Sequence, residues 1–203
     1  MFTRKIASEM ASGGAVVCKP ANATPLSALA LIELADRAEF PKGLVNIVTG
    51  RTAEIGAEIT SNPIVRKVTF TGSTPVGKQL MAECAQNVKR TSMELGGNAP
   101  FIVFDAADID AAVQGAMVSK YRTAGQPCVC FNRLIMQAGI YDEFGAKLAD
   151  AVRGLKVGNG TAEDVTIGPL IDEKAANGVC EFIDDAVAKG ATVTLGGGRS
   201  ELG

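Results

Sequence analysis

Cys128, in the stretch GQPCVC, puts a nucleophilic side chain beside a glycine and a proline, a context that suits a fixed and exposed loop. A thiolate attacks carbonyl carbon readily even when only partly ionised. Free cysteine is also among the most buried residue types, so a structural thiol is the alternative at this point. Glu94 closes a predicted strand just before Gly96-Gly97. Ligands bind at the carboxyl ends of strands in parallel sheets, although a solvated carboxylate at a turn would look the same. The chain has no histidine, so no Ser-His-Asp or Cys-His mechanism can be built from it. A general base must then be a carboxylate, a lysine, a tyrosine or a second thiolate.

Two further stretches could bind an anion. In TGST, Thr71–Thr74, the glycine permits close backbone approach and the hydroxyls can donate, with a predicted helix N-terminus behind them. This is neither a Walker loop nor GxGxxG, and a simple helix cap has the same composition. Lys19 follows a predicted strand and precedes Pro20, where it can reach a ribose or phosphate or remain an ordinary solvated lysine. Five cysteines, with no CxxC pair and no histidine, argue against a disulfide scaffold and against a zinc site. They fit a reducing compartment.

The elements that would position these groups alternate between helix and strand. Phe2, Ile6 and Met10 mark an amphipathic helix over 1–12, and Ala15–Lys19 is a short β-branched strand. Thr24-Pro25 has the form of a capping hydroxyl followed by proline at the first helical position, with the helix running to Ala38. Strands are expected at Leu44–Val48, Val65–Phe70, Val88–Glu94, Phe101–Phe104, Leu134–Gln137 and Thr192–Leu195. Helices are expected after Gly50, after Pro75, from Asp108 to Tyr121, at Tyr141–Gly154 and at Glu173–Lys189. Repeated β-α-β units imply an α/β fold with a parallel sheet and helices on its faces. The plausible boundary is Gly96-Gly97, giving domains 1–95 and 96–203.

At 203 residues, 47% hydrophobic and 21% charged, the chain can bury a core. No apolar run is long enough to span a membrane, and MFTRKIASEM lacks the pattern of a signal peptide. A net charge of −2 with interleaved signs makes nucleic acid an unfavourable partner. The chain opens without a helix cap and closes on GGGRSELG directly after an expected strand, features of a truncated polypeptide or of frayed termini.

KPANATP, FTGST, MELGG and GQPCVC occur in that order, and the combination resembles the aldehyde dehydrogenase superfamily over essentially the whole chain. MELGGNAPFIVF and GQPCVCFNR look most like succinate-semialdehyde dehydrogenases. The resemblance implies a partial Rossmann-like cofactor domain followed by part of an α/β catalytic domain. It implies oxidation of an aldehyde, succinic semialdehyde first and glutaric semialdehyde or a neutral aldehyde next, with NADP or NAD. By the same resemblance Cys128 matches the nucleophile and Glu94 the base. Lys19, Pro20, Ala21 and Asn22 match the segment on the adenosine ribose, Gly72 and Ser73 the phosphate loop, and Leu95 a contact to the nicotinamide end. Arg122 matches a cation for the substrate's far carboxylate. Cys130, one residue removed from Cys128, is the nearest resolving thiol should Cys128 be oxidised, or else packs behind the loop; similar CVC pairs occur in succinate-semialdehyde dehydrogenases.

Some features depart from the family pattern. The family's oxyanion-hole asparagine lies upstream of residue 1, and Pro127 stands where a small polar residue is usual. The span by itself is therefore expected to turn over poorly, and a non-catalytic fragment that binds nucleotide or a partner is the reading from another class. The complete protein is expected to form a homo-oligomer in the cytoplasm or mitochondrial matrix.

Overall fold

The computed structural model describes residues 2–202, and its contacts divide the chain into two compact units, Met1–Gly96 and Gly97–Gly203. The first unit contains α1 (Phe2–Ala11), β1 (Val16–Cys18), α2 (Leu26–Arg37) and β2 (Val45–Ile47). It continues with α3 (Thr52–Ser61), β3 (Lys67–Gly72), α4 (Thr74–Ala85) and β4 (Arg90–Leu95). The second contains β5 (Ala99–Val103), α5 (Ile109–Lys120), β6 (Phe131–Met136), α6 (Tyr141–Arg153) and α7 (Glu173–Ala188).

Every strand pair is parallel. β1 pairs with β2, β3 with β4, and β5 with β6, and a helix connects the two strands of each pair. Parallel strands need such a crossover because a tight turn cannot reverse the chain twice. In the second unit the core is built from Val103, Val113, Ala116, Phe131, Ile140 and Phe144. Phe144, on α6, is completely buried, and the Phe101 and Phe131 rings stack with centroids 5.0 Å apart. α5 begins where Asp108 accepts from the Ala111 N–H at 3.0 Å, and α7 where Asp172 accepts from the Ala175 N–H at 2.8 Å. Each satisfies one of the helix's unpaired first-turn donors, a contribution of about 1 kcal/mol.

In the first unit the distances between α4 and β4 are set by a glycine. A Cβ on Gly77 would lie 2.6 Å from Leu95 Cδ2, so a larger residue there would have to displace the Leu95 side chain. Lys89 is buried and donates to the carbonyls of Asn62 and Val65, tying the end of α3 to the entry of β3.

Four expectations are corrected. α2 starts one residue late: Pro25 is itself the N-cap and no side-chain cap bond forms, so Thr24 does not cap. β3 runs through Thr71 and Gly72, because both pair with β4 (with Glu94 and Leu95); half of the expected phosphate loop is therefore strand, and Thr74 already belongs to α4. Val88 is not in the strand but in a left-handed turn at φ 50, and β4 begins at Arg90. The stretch Thr192–Leu195 is irregular: no neighbouring strand among the described residues offers it a hydrogen-bonding ladder. The start of the first expected helix, Met1, lies outside the described residues.

Candidate active site

Pro127 to Cys130 form a tight turn in which the Cys130 N–H donates to the Pro127 carbonyl at 3.1 Å. Cys128 and Val129 occupy its two central positions, and both are exposed. Proline suits the first corner because its carbonyl is the acceptor and its missing N–H is not needed there. Among the described residues the Cys128 N–H has no intramolecular acceptor, so the side chain and the amide of one residue are both free. That pairing of a thiol with an adjacent unsatisfied donor suits attack on a carbonyl whose oxygen then becomes an anion.

The turn is held from behind. Cys130 is buried, and its thiol donates to the Gly125 carbonyl at 2.9 Å. The Gln126 side chain donates to the Thr123 carbonyl at 3.1 Å and accepts from the Ile171 N–H at 3.0 Å. Upstream, Thr123, Ala124 and Gly125 all take left-handed backbone conformations, with φ of 50, 54 and 72. Only glycine enters that region freely, so the β-branched Thr123 stores backbone strain of about 1–2 kcal/mol in the segment that leads into the Cys128 turn. Arg122 opens this turn, is exposed, and makes no hydrogen bond or ion pair among the described residues. Its neighbour Tyr121 is half-buried, and burial pushes its phenol above the ordinary value.

In the first unit Glu94 is exposed on β4 and lies opposite Thr71 of β3. Lys5 of α1 reaches the same region: its ammonium donates to the Thr69 hydroxyl at 2.8 Å. Burial holds the Lys5 ammonium below its usual value, while the charges of Glu94 and Cys18 pull it back up. Burial raises the Cys18 thiol, and Lys5 opposes that rise. Leu95 pairs with Gly72, and a Cβ on Gly72 would meet the Phe70 ring at 2.4 Å. A side chain at Gly72 would therefore require the Phe70 ring to move. Ser73 follows as the N-cap residue of α4, with its side chain not engaged in capping.

At the end of β1 the Lys19 ammonium donates to Asn22 Oδ1 at 2.6 Å and to the Pro20 carbonyl at 2.9 Å. A cavity of about 210 Å³ is lined by Pro20, Ala21, Asn22, Pro25, Thr49 and Gly50. These residues fit the adenosine end of a dinucleotide: an apolar slot with an ammonium and an amide at its edge. No group of three or more metal-ligating side chains occurs among the described residues, and no described helix is long and apolar enough to cross a membrane.

Sequence reasoning placed Lys19 to Asn22 together and Cys128 and Cys130 on one loop; the pairing of Gly72 with Leu95 is a finding of the structure. It missed Lys5 and the left-handed turn. The Lys5 contact spans 64 positions and leaves no local signal. Thr123 is a residue type that argues against the conformation it adopts.

Comparison with known proteins gives a consistent result. The model of the aldehyde dehydrogenase family matches residues 1–203. The chain is 61% identical over its whole length to a glutarate-semialdehyde dehydrogenase of Pseudomonas aeruginosa and covers 42% of that protein. It is 58% identical to the NADP-dependent succinate-semialdehyde dehydrogenase of Escherichia coli, again over all of the chain and 42% of the relative. It superposes on a succinate-semialdehyde dehydrogenase structure from Burkholderia pseudomallei with a TM-score of 0.99 at 56% identity, covering 100% of this chain and 42% of that one. The chain therefore spans about two-fifths of the length of these relatives, and the α/β fold with parallel strands is theirs over that span.

Proposed function

We propose, for a chain that belongs to the aldehyde dehydrogenase family, that it supplies the nucleophile, the base and the cofactor-binding segments of an NAD(P)-dependent semialdehyde dehydrogenase. The observation that carries the reading is Cys128, an exposed thiol at the tip of a braced turn with its own N–H unsatisfied. The Cys128 thiolate adds to the aldehyde carbon, and the resulting oxyanion takes a hydrogen bond from the Cys128 N–H. A bound nicotinamide supplies the hydride acceptor. Glu94 removes the proton from the water that cleaves the Cys128 thioester and releases the acid. A carboxylate fits this step in a chain without histidine. Lys19, Pro20, Ala21 and Asn22 hold the adenosine end, Gly72 and Ser73 the phosphates, and Leu95 the nicotinamide end. On this reading 1–95 belongs to the cofactor domain and 96–203 to the catalytic domain.

The substrate we infer is a short aldehyde ending in a carboxylate, with unpaired Arg122 as its anchor. Succinic semialdehyde is the first candidate. Glutaric semialdehyde, one methylene longer, is the second, favoured by the Pseudomonas aeruginosa relative. One methylene is worth about 10- to 200-fold in a hydrophobic pocket, so both substrates should turn over, with one clearly preferred. The test is made in the complete protein carrying this segment. Cys128→Ser should abolish aldehyde-dependent reduction of NAD(P), and Glu94→Gln should accumulate the thioester, detected on Cys128 by mass spectrometry. Undiminished turnover by the Cys128→Ser protein would reject the assignment. Nucleotide binding without turnover in the unaltered protein would favour the non-catalytic reading.

A further inference from the structure

We propose that Asn159 is a site of self-modification: the Gly160 nitrogen attacks the Asn159 side-chain amide and closes a succinimide, which water opens to aspartate or isoaspartate. Asn159-Gly160 lies in the loop between α6 and α7, and both residues are exposed. The proposed dehydrogenase site uses neither. The Ala162 N–H donates to the Asn159 carbonyl at 2.9 Å, which makes 159–162 a tight turn. Within it one residue supplies two donors to one oxygen. The Thr161 N–H donates to Asn159 Oδ1 at 3.1 Å, and the Thr161 hydroxyl donates to the same oxygen at 2.9 Å. The Gly160 N–H, next along the chain, has no acceptor among the described residues.

Each contact has a place in the reaction. The Gly160 nitrogen gives its proton to a base in the solvent and bonds to Asn159 Cγ. Negative charge then develops on Oδ1, the oxygen that the two Thr161 donors already hold, so they stabilise the tetrahedral intermediate. The side-chain nitrogen takes up a proton and leaves as ammonia. Water adds to one or the other carbonyl of the ring, giving aspartate or a backbone rerouted through the side chain; nothing is oxidised or reduced. No hydrogen bond has to break to free the nucleophile. A Cβ on Gly160 would meet nothing within 4 Å, so the peptide has room to turn towards Cγ, and glycine has the backbone freedom to do it. Asn177-Gly178 is the same dipeptide in another setting, inside α7. There the Gly178 N–H belongs to the helix ladder, and Asn177 Oδ1 accepts from the Arg199 guanidinium. Ring closure at Asn177 would have to unwind a turn of helix, so the fold, and not the dipeptide, decides which asparagine reacts.

The experiment incubates the complete protein carrying this segment in warm neutral buffer and maps its peptides by mass spectrometry, separating asparagine, aspartate and isoaspartate at both positions. Asn159 should convert to a mixture of aspartate and isoaspartate, with Asn177 slower by about tenfold or more, the effect of one ladder bond that must first break. An oxyanion donor in a dry site is worth about 10²–10³ in rate; water competes on this exposed turn, so Thr161→Val should slow Asn159 by about three- to tenfold. Thr161→Ser, which restores the hydroxyl, should restore the rate. Gly160→Ala, which the open space accommodates, should slow it further while leaving Tm unchanged. Conversion of Asn159 no faster than that of Asn177 overturns the proposal. So does aspartate without isoaspartate, the mark of direct hydrolysis, and so does a Thr161→Val rate equal to or above the parent's.

Discussion

Arg122→Ala should select against carboxylated substrates, and the size of the loss follows from what Arg122 does in the unliganded chain. Among the described residues it has no hydrogen bond and no ion pair. Nothing has to be broken before it meets a carboxylate, so the contact keeps its full value. A hydrogen bond to a charged group contributes about 1.5–3 kcal/mol, or roughly 10- to 150-fold in rate. Arg122 is exposed, and salt screening favours the lower part of that range, about 10- to 30-fold at physiological ionic strength. Ordering the free side chain also costs rotamer entropy, which again favours the lower part of the range. The assay is kcat/KM for succinic semialdehyde and for butanal, a neutral aldehyde of the same length, in the complete protein at low and high salt. The carboxylated substrate should lose the stated factor, less at high salt, while butanal changes by less than about threefold. An equal fall for both would show that Arg122 supports the loop. No fall for either would remove it from the substrate site.

Two further perturbations test the loop and the fold. Cys130 must leave a buried site and give up its bond to Gly125 to pair with Cys128; at about 1–3 kcal/mol that loss raises the disulfide's potential by roughly 20–60 mV and keeps it reducible. Mild peroxide should therefore inhibit the parent reversibly and Cys130→Ala irreversibly, with equal recovery in dithiothreitol excluding Cys130 as the resolving thiol. Lys89→Met leaves the Asn62 and Val65 carbonyls without their donor, costing about 2–4 kcal/mol and roughly 5–15 °C of Tm; a shift under 1 °C would show that water replaces the ammonium.

What could be read in advance depended on the range of the interaction. Asp108 could be identified as a cap because the donor it serves is three residues away. The four motifs were legible as an ordered set, since each is contiguous. Thr24-Pro25 misled because a capping composition does not compel capping geometry, and Pro25 took the N-cap position itself. Thr71 and Gly72 looked like loop residues by type, but the β4 ladder made them strand. Thr192–Leu195 has strand composition and no partner. Lys5 could not be found at all, because its partner lies 64 residues away. Long-range pairing decides these cases, and composition carries no record of it.

Gly77 turns the close packing of α4 on β4 into a gauge. A side chain there would press on Leu95, so the present spacing of helix and strand is matched to a residue without one. Ser73 leads directly into that helix, and Leu95 pairs with Gly72 on the strand beside it. The two ends of the proposed dinucleotide seat, phosphate and nicotinamide, are thus spaced by a single missing methyl group. A dinucleotide has nearly fixed length, and hydride transfer tolerates errors of only about an ångström. A residue larger than glycine at 77 would have to displace the Leu95 side chain, at the position we assign to the nicotinamide end.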